Sequence, residues 1–447
     1  MPLRFAWVLA LGASAGVWAA DVPAQRAPVQ LSMKRAVEIA TSPEGNTAIQ
    51  LAAEALKQAQ ERSAESRAAL LPDVEASLNE QNRTENLAAL GVQVNVPIPG
   101  FQFPKFVGPF TTMDARVTGS QTVFDLSSIR RFQASKLGIS AAKGDVSSSG
   151  EQVAAQVARA YVAAVKARTD VETAQANVTL SQAVLTQAEN QKAAGTGTGI
   201  EITRAKVQLA NDQQHLLEAR NAQRSANLRL LRAMGARLDT AIELTDKLEY
   251  VPVDALTLEQ AKAQALRERP DYQAQQDRET NAKISANATK MERLPSVQAF
   301  GDYGSIGTGL GSALPTRTVG VSLRVPVFDG GRRDARRAES ASQYRAEKVR
   351  TNDLKEQIEL DVRLALDGLQ SADDEVKVAK EGLELSENEL TQARRRYEAG
   401  VANSLEVTDA QTRLERARDN QTAALYSYNV ARIDLAQAMG KVRQLVQ

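Results

Sequence analysis

The sequence predicts a mainly α-helical chain with a smaller β part, built as two tandem repeats, and three observations predict it. Residues 194–235 recur at 399–440 at a constant offset of 205, with 12 of 42 positions identical and no gap. Among the identities are Gly195/Gly400, Glu201/Glu406 and Gly235/Gly440, and a unit of that size copied in tandem means a pseudo-symmetric fold. Each copy also carries a stretch of period two behind a Leu-Pro pair, Leu71-Pro72 and Leu294-Pro295. Each then carries a long proline-free stretch whose small and apolar residues recur at three and four, the spacing of a helical seam.

The N-terminus comes first. Arg4, the apolar run Phe5–Leu11 and small residues up to Ala20 read as a signal peptide over 1–20, with cleavage near Ala19 or Ala20. Trp7 and Trp18 leave with it. The first repeat then spans 21–250 and the second 251–447. Each opens with a short helix, Leu31–Ala40 and Leu256–Arg267, followed by an amphipathic one over 46–70 and 271–293. Both longer helices stop at the Leu-Pro pair, where proline cannot continue the hydrogen-bond ladder.

Beyond each proline, two strands are expected, at about 73–82 and 112–124 in the first copy and about 296–306 and 317–328 in the second. Val74, Ala76 and Leu78 alternate with Asp73, Glu75, Ser77 and Asn79; Val319, Val321, Leu323, Val325 and Val327 alternate with polar or small residues. A long loop rich in Gly and Pro joins each pair. Strands of roughly 9–11 residues suffice to cross a bilayer when tilted. Seven of nine phenylalanines lie here (Phe101, Phe103, Phe106, Phe110, Phe124, Phe300, Phe328), and with Tyr303 they suit the aromatic girdle of a membrane barrel. Periodicity alone fits a soluble β-domain equally well.

Both copies leave the strands through Val-Phe-Asp, ending at Asp125 and Asp329, and enter the longest elements, about Ser128–Lys192 and Arg332–Ala399. Val153, Val157, Ala160, Ala164 and Val171 line the first seam; Ile358, Val362, Ala365, Leu369 and Val376 line the second. This is a coiled-coil pattern with many small residues. A helix of about 65 residues is close to 100 Å long, more than a globular domain needs. Gly138, Gly144 and Gly150 are expected to kink the first copy. The helices end at Gly195 and Gly400, and a returning helix runs to Gly235 or Gly440, giving a long antiparallel hairpin in each repeat.

Composition excludes much. A formal charge of +1 gives no reason for a nucleic-acid partner. With no cysteine there is no disulfide, no thiolate chemistry and no Cys-linked lipid, and the lone His215 reads as a solvated or seam residue. No run of eighteen apolar residues occurs after the signal peptide, so no transmembrane helix is expected. There is no P-loop and no GxSxG turn. Neither an enzyme nor a cofactor is expected.

The duplicated strand pairs and hairpins, with Tyr397, Gly400, Glu406, Val407, Asp409, Ala410 and Gln411 placed as in a YxxGxxxxxDVLDAQ tip, resemble the TolC-like outer-membrane efflux proteins. LTLEQA at 256–261 and the Val-Phe-Asp-Gly-Gly turn ending at Gly331 agree. The resemblance implies a homotrimer in the outer membrane of a Gram-negative bacterium. It further implies a twelve-stranded β-barrel in outer-membrane lipid and a periplasmic α-helical barrel closed at its far end. The implied function is the passive exit duct of a tripartite efflux pump or type I secretion system, with a periplasmic adaptor and an inner-membrane pump as partners. Glu406 and Asp409 match acidic rings that constrict the tunnel and select cations. Three-residue spacing puts both on one helical face, and threefold symmetry gathers six carboxylates, a crowding that favours raised pKa values for some. Tyr397 matches a tip latch, with Glu201 where its partner is expected. Ala402 stands where the family has a latch arginine, and Glu406 replaces an aspartate. Gly195, Gly197, Gly199, Gly400, Ala402 and Ser404 form the expected adaptor-docking surface. The competing reading is a periplasmic coiled-coil adaptor or scaffold without a pore. It shares the hairpins but needs no paired strands with an apolar face.

Overall fold

Each half of the chain runs through the same order of elements, set by the same punctuation. The structure is a computed structural model that describes residues 28–92, 99–100, 103–253, 256–402 and 404–446; the signal segment and Phe101 lie outside the described residues. The first half comprises β1 (Val29–Leu31), α1 (Met33–Thr41), α2 (Thr47–Ala68), β2 (Asp73–Asn86), β3 (Phe106–Phe124), α3 (Leu126–Ala193), α4 (Gly199–Met234) and β4 (Ile242–Leu244). The second comprises α5 (Leu258–Glu268), α6 (Pro270–Met291), β5 (Ser296–Gly307), β6 (Leu314–Arg324), α7 (Arg332–Glu398), α8 (Ser404–Ala438) and a last turn, α9 (Val442–Leu445). Caps explain the starts. Asn46 Oδ1 accepts from Ala48 N at 2.8 Å, Asp125 Oδ1 from Ser127 N at 2.9 Å, and Pro270 opens α6 where its missing N–H costs nothing.

Strands β2, β3, β5 and β6 form one antiparallel sheet in that order. Register decides its character. Ala76, Val117, Tyr303 and Arg317 form one cross-sheet row, and Val74, Gly119, Gly301 and Val319 the next on the same face. The opposite face carries Ser77, Arg116, Gly304 and Thr316, then Glu75, Thr118, Asp302 and Thr318. One face is therefore mostly apolar and the other polar, and in the single chain Val319 and Val321 stand 85% and 72% exposed. A soluble β-domain buries such a face; here nothing among the described residues covers it.

Several boundaries differ from the sequence expectation. The last strand ends at Arg324, not near 328, because Pro326 lacks the N–H the ladder requires, although the apolar alternation continues to Val327. β2 and β3 run past 82 and start before 112, in a hairpin arm with a bulge between Arg83 and Glu85. Residues 83–86 are polar throughout, and Gly108-Pro109 interrupts the apolar Phe106, Val107 and Phe110 opposite them, which left no period of two to read there. The second strand pair is joined by a short connection, not a long loop. Of the expected girdle, Tyr303 lies on the apolar face and Phe124 pairs with Val297 at the helical end. Phe300 lies on the polar face and covers Gly320, whose absent side chain leaves room for the ring.

α3 is one continuous helix through Gly138, Gly144 and Gly150. Gly144 and Gly150 serve close approach: a Cβ on Gly144 would fall 2.8 Å from Ala274 Cβ of α6, and one on Gly150 would lie 3.3 Å from the Arg443 guanidinium. Near the sheet α2, α3, α6 and α7 pack side by side; farther out the order is α4, α3, α8, α7. The cores repeat the pseudo-symmetry. Val157, Leu230 and Met234 centre one cluster, and their equivalents Val362, Leu435 and Met439 centre another. Among the described residues no helix is long and apolar enough to cross a membrane.

Candidate pore constriction at the hairpin tips

Both hairpins turn by the same device, for the same reason. After α3, Gly195 N donates to Lys192 O and Thr196 N to Gln191 O, both at 3.0 Å. After α7, Gly400 N donates to Tyr397 O and Val401 N to Arg396 O, both at 3.0 Å. These paired bonds satisfy the last carbonyls of each helix and require a left-handed residue, supplied by Gly195 at φ 77° and Gly400 at φ 71°. Gly197 lies in the first turn, Gly199 opens α4, Ala402 lies in the second turn and Ser404 opens α8.

The second tip is packed around Tyr397, 6% exposed among Leu390, Ala393, Val407, Ala410 and Leu414, with Leu180 of α3 against the same cluster. The Tyr397 hydroxyl donates to Gln191 Oε1 on α3, which ties the second hairpin to the first. Burial, and then the nearby Glu201 carboxylate, push the phenol pKa up, so the hydroxyl keeps its proton for donation. Glu201 Oε2 itself accepts from Thr198 N at 2.8 Å, closing the N-terminus of α4. The structure thus brings Tyr397 and Glu201 together while giving the hydrogen bond to Gln191.

Glu406 and Asp409 lie one turn apart at the start of α8, partly and fully exposed, with Val407 and Ala410 turned into the core between them. Glu406 Oε1 meets Arg396 Nε of α7 at 2.8 Å across the tip. The acidic pair therefore carries a countercharge of its own. Sequence reasoning missed Arg396 and Gln191, yet a signal existed: the 205-residue offset superimposes Gln191 on Arg396 and Glu201 on Glu406.

Farther up the hairpins lies a contact that no motif announced. Asp212 of α4, 3% exposed, accepts from Ser181 Oγ of α3 and from Gln208 Nε2 at 3.0 Å. Glu415 of α8 is pushed up to about 7 by burial, then by the Asp212 and Asp419 carboxylates, with His215 and Arg418 acting oppositely. Arg418 Nη1 donates to Asn177 Oδ1 of α3 at 3.3 Å. His215 is otherwise solvated, 3.8 Å from Glu218.

Comparison with known proteins agrees with this fold. The family model described as "Outer membrane efflux protein" matches residues 41–236 and 262–441. The chain is 25% identical over 397 residues to the pyoverdine export outer membrane protein OpmQ of Pseudomonas putida, covering 87% of this chain and 82% of that one. It is 23% identical over 319 residues to the alkaline protease secretion protein AprF of Pseudomonas aeruginosa, covering 70% of this chain and 66% of that one. The fold is similar to that of the CmeC outer membrane channel of Campylobacter jejuni, with a TM-score of 0.76 at 16% identity, over 91% of this chain and 85% of that one.

Proposed function

Because the chain belongs to the outer membrane efflux protein family, we propose that it is one third of an outer-membrane exit duct, a passive channel gated at its periplasmic end. The observation that carries this reading is the unfinished sheet: four strands, two open edges at β2 and β6, one apolar and one polar face. An open edge with unpaired backbone groups cannot face lipid, so the sheet must close on further copies. Two copies would give about eight strands, an interior that side chains fill; three give about twelve and leave a bore. The helical edges support the same closure. α4 exposes Ile200, Val207 and Leu217, and α7 exposes Val349, Leu364, Val378 and Leu385, apolar faces that a neighbouring copy would cover.

The far end of the tube is the gate. Tyr397, Gln191 and Glu201 hold the second hairpin against the first, the Arg396–Glu406 pair braces the second tip internally, and Glu406 and Asp409 ring the constriction. Opening swings α7 and α8 away from α3 and breaks the contacts between the hairpins. Gly195, Gly197, Gly199, Gly400, Ala402 and Ser404 present the surface for a periplasmic adaptor, through which an inner-membrane pump supplies the driving force. One relative is named for pyoverdine export and another for alkaline protease secretion, so the pump partner sets whether this duct carries a small molecule or a polypeptide. The bilayer experiment is direct. Purified trimers should conduct, and Glu406→Ala with Asp409→Ala should raise the conductance severalfold by widening the ring and removing bound cations. Protein found only in the periplasmic soluble fraction, with no conductance, would instead support the adaptor reading.

A further inference from the structure

The polar face of the sheet carries an arginine whose position no family motif explains. Arg116 sits in β3, directly opposite Gly304 of β5. Its Nε donates to both Asp114 oxygens at 3.3 Å, its Nη1 pairs with Asp302 of β5, and its Nη2 donates to Thr316 Oγ1 of β6 at 3.1 Å. The side chain thus crosses a whole strand. It can do so because Gly304 is bare: a Cβ there would fall 2.9 Å from Arg116 Cβ. Arg116, Asp114 and Asp302 side chains are only 22%, 27% and 17% exposed even in the single chain. The guanidinium is held flat on the wall and does not project into the bore. Two carboxylates against one guanidinium leave one negative charge per chain in this cluster, and Glu75, in the Asp302 row of the same face, adds a second.

We propose that Arg116, Asp114 and Asp302 form a second selectivity belt, inside the β-barrel and separate from the hairpin tips, which favours cationic over anionic solutes in the bore. The proposal rests on the trimeric duct reading, under which three chains, with Glu75 counted, place a net six negative charges around one ring. The opposite face of the same rows is the apolar band of Val117, Val319 and Tyr303, and a low-dielectric wall of that kind focuses the field of the belt into the bore. Arg116 sets its strength: it offsets one of the three acidic charges per chain and, by its fork, keeps the two aspartates at the wall.

The test is the reversal potential of single trimers in a planar bilayer under a potassium chloride gradient, read in wild type and in the Glu406→Ala/Asp409→Ala background that relieves the tip. Arg116→Gln raises the net negative charge of the ring from six to nine, so the cation-to-anion permeability ratio should rise by roughly one and a half fold at low salt and less at 1 M. Asp302→Asn and Asp114→Asn each cut that charge to three, and each should move the reversal potential the opposite way. Arg116→Lys keeps the charge and should keep the wild-type value. A merely structural clamp does not produce shifts of opposite sign. Conducting trimers whose reversal potential is the same in all four variants would overturn the belt alone. Wild-type protein that forms no conducting pore would overturn the duct reading and the belt together.

Discussion

Tyr397 carries the most specific claim at the scale of single residues. It is almost fully buried, yet its hydroxyl reaches across to Gln191 of the other hairpin. Tyr397→Phe keeps the packing and deletes that bond, at a cost of about 1 kcal/mol. The expected outcome is more frequent opening in a bilayer with an unchanged melting midpoint of the whole molecule; closed-state dwell times equal to wild type would contradict it. Glu415 makes a claim about pH. Its folded pKa, about 7, lies above the ordinary glutamate value of about 4.3, so the folded state binds this proton more tightly than the unfolded chain. Its stabilising contribution is complete below about pH 4.3 and is lost as pH rises through about 7. The contact of α8 with α3 and α4 should therefore be tighter at pH 5.5 than at pH 8, seen as slower amide exchange in α8, and Glu415→Gln should flatten that difference. Motif residues at the tip were legible because a spacing and a repeat exposed them. Asp212, Ser181 and Glu415 were not, since they come from three helices and meet only through packing.

The hairpin turns concentrate the argument at the scale of elements. Gly400 has φ 71°, and a Cβ added there would meet nothing within 4 Å, so Gly400→Ala is purely a backbone test. It should cost roughly 1–2 kcal/mol, the price of a left-handed alanine. That loss should appear as faster limited proteolysis between α7 and α8 with the sheet unaffected; a turn as resistant as wild type would contradict it. Element order was readable because proline, glycine and period change coincide at Leu71-Pro72, Leu294-Pro295, Gly195 and Gly400. Element ends were less so. Pro326 stops β6 although Val325 and Val327 keep the alternation, and the arm of β2 and β3 has none to read, being polar on one strand and broken by Gly108-Pro109 on the other. Gly144 was unreadable for a different reason: it answers a tertiary requirement, set by Ala274 of α6, 130 positions away in the sequence.

The single chain is an incomplete object at the scale of the whole molecule. Its sheet has two open edges and an uncovered apolar face, and α4 and α7 leave apolar faces bare on opposite sides of the helical layer. These features make sense only if copies close on one another, with β2 of one against β6 of the next. The repeat of 205 residues duplicates the hairpin within each chain, so the proposed trimer would set nearly six equivalent hairpins around its tube. The central claim is therefore a hollow trimer, and imaging tests it most directly. Mature protein extracted from outer membranes in detergent and viewed by electron microscopy should appear as a threefold hollow cylinder, a β-barrel at one end and a tapered helical tip at the other. Monomers or solid rods, recovered from the soluble periplasm, would contradict it.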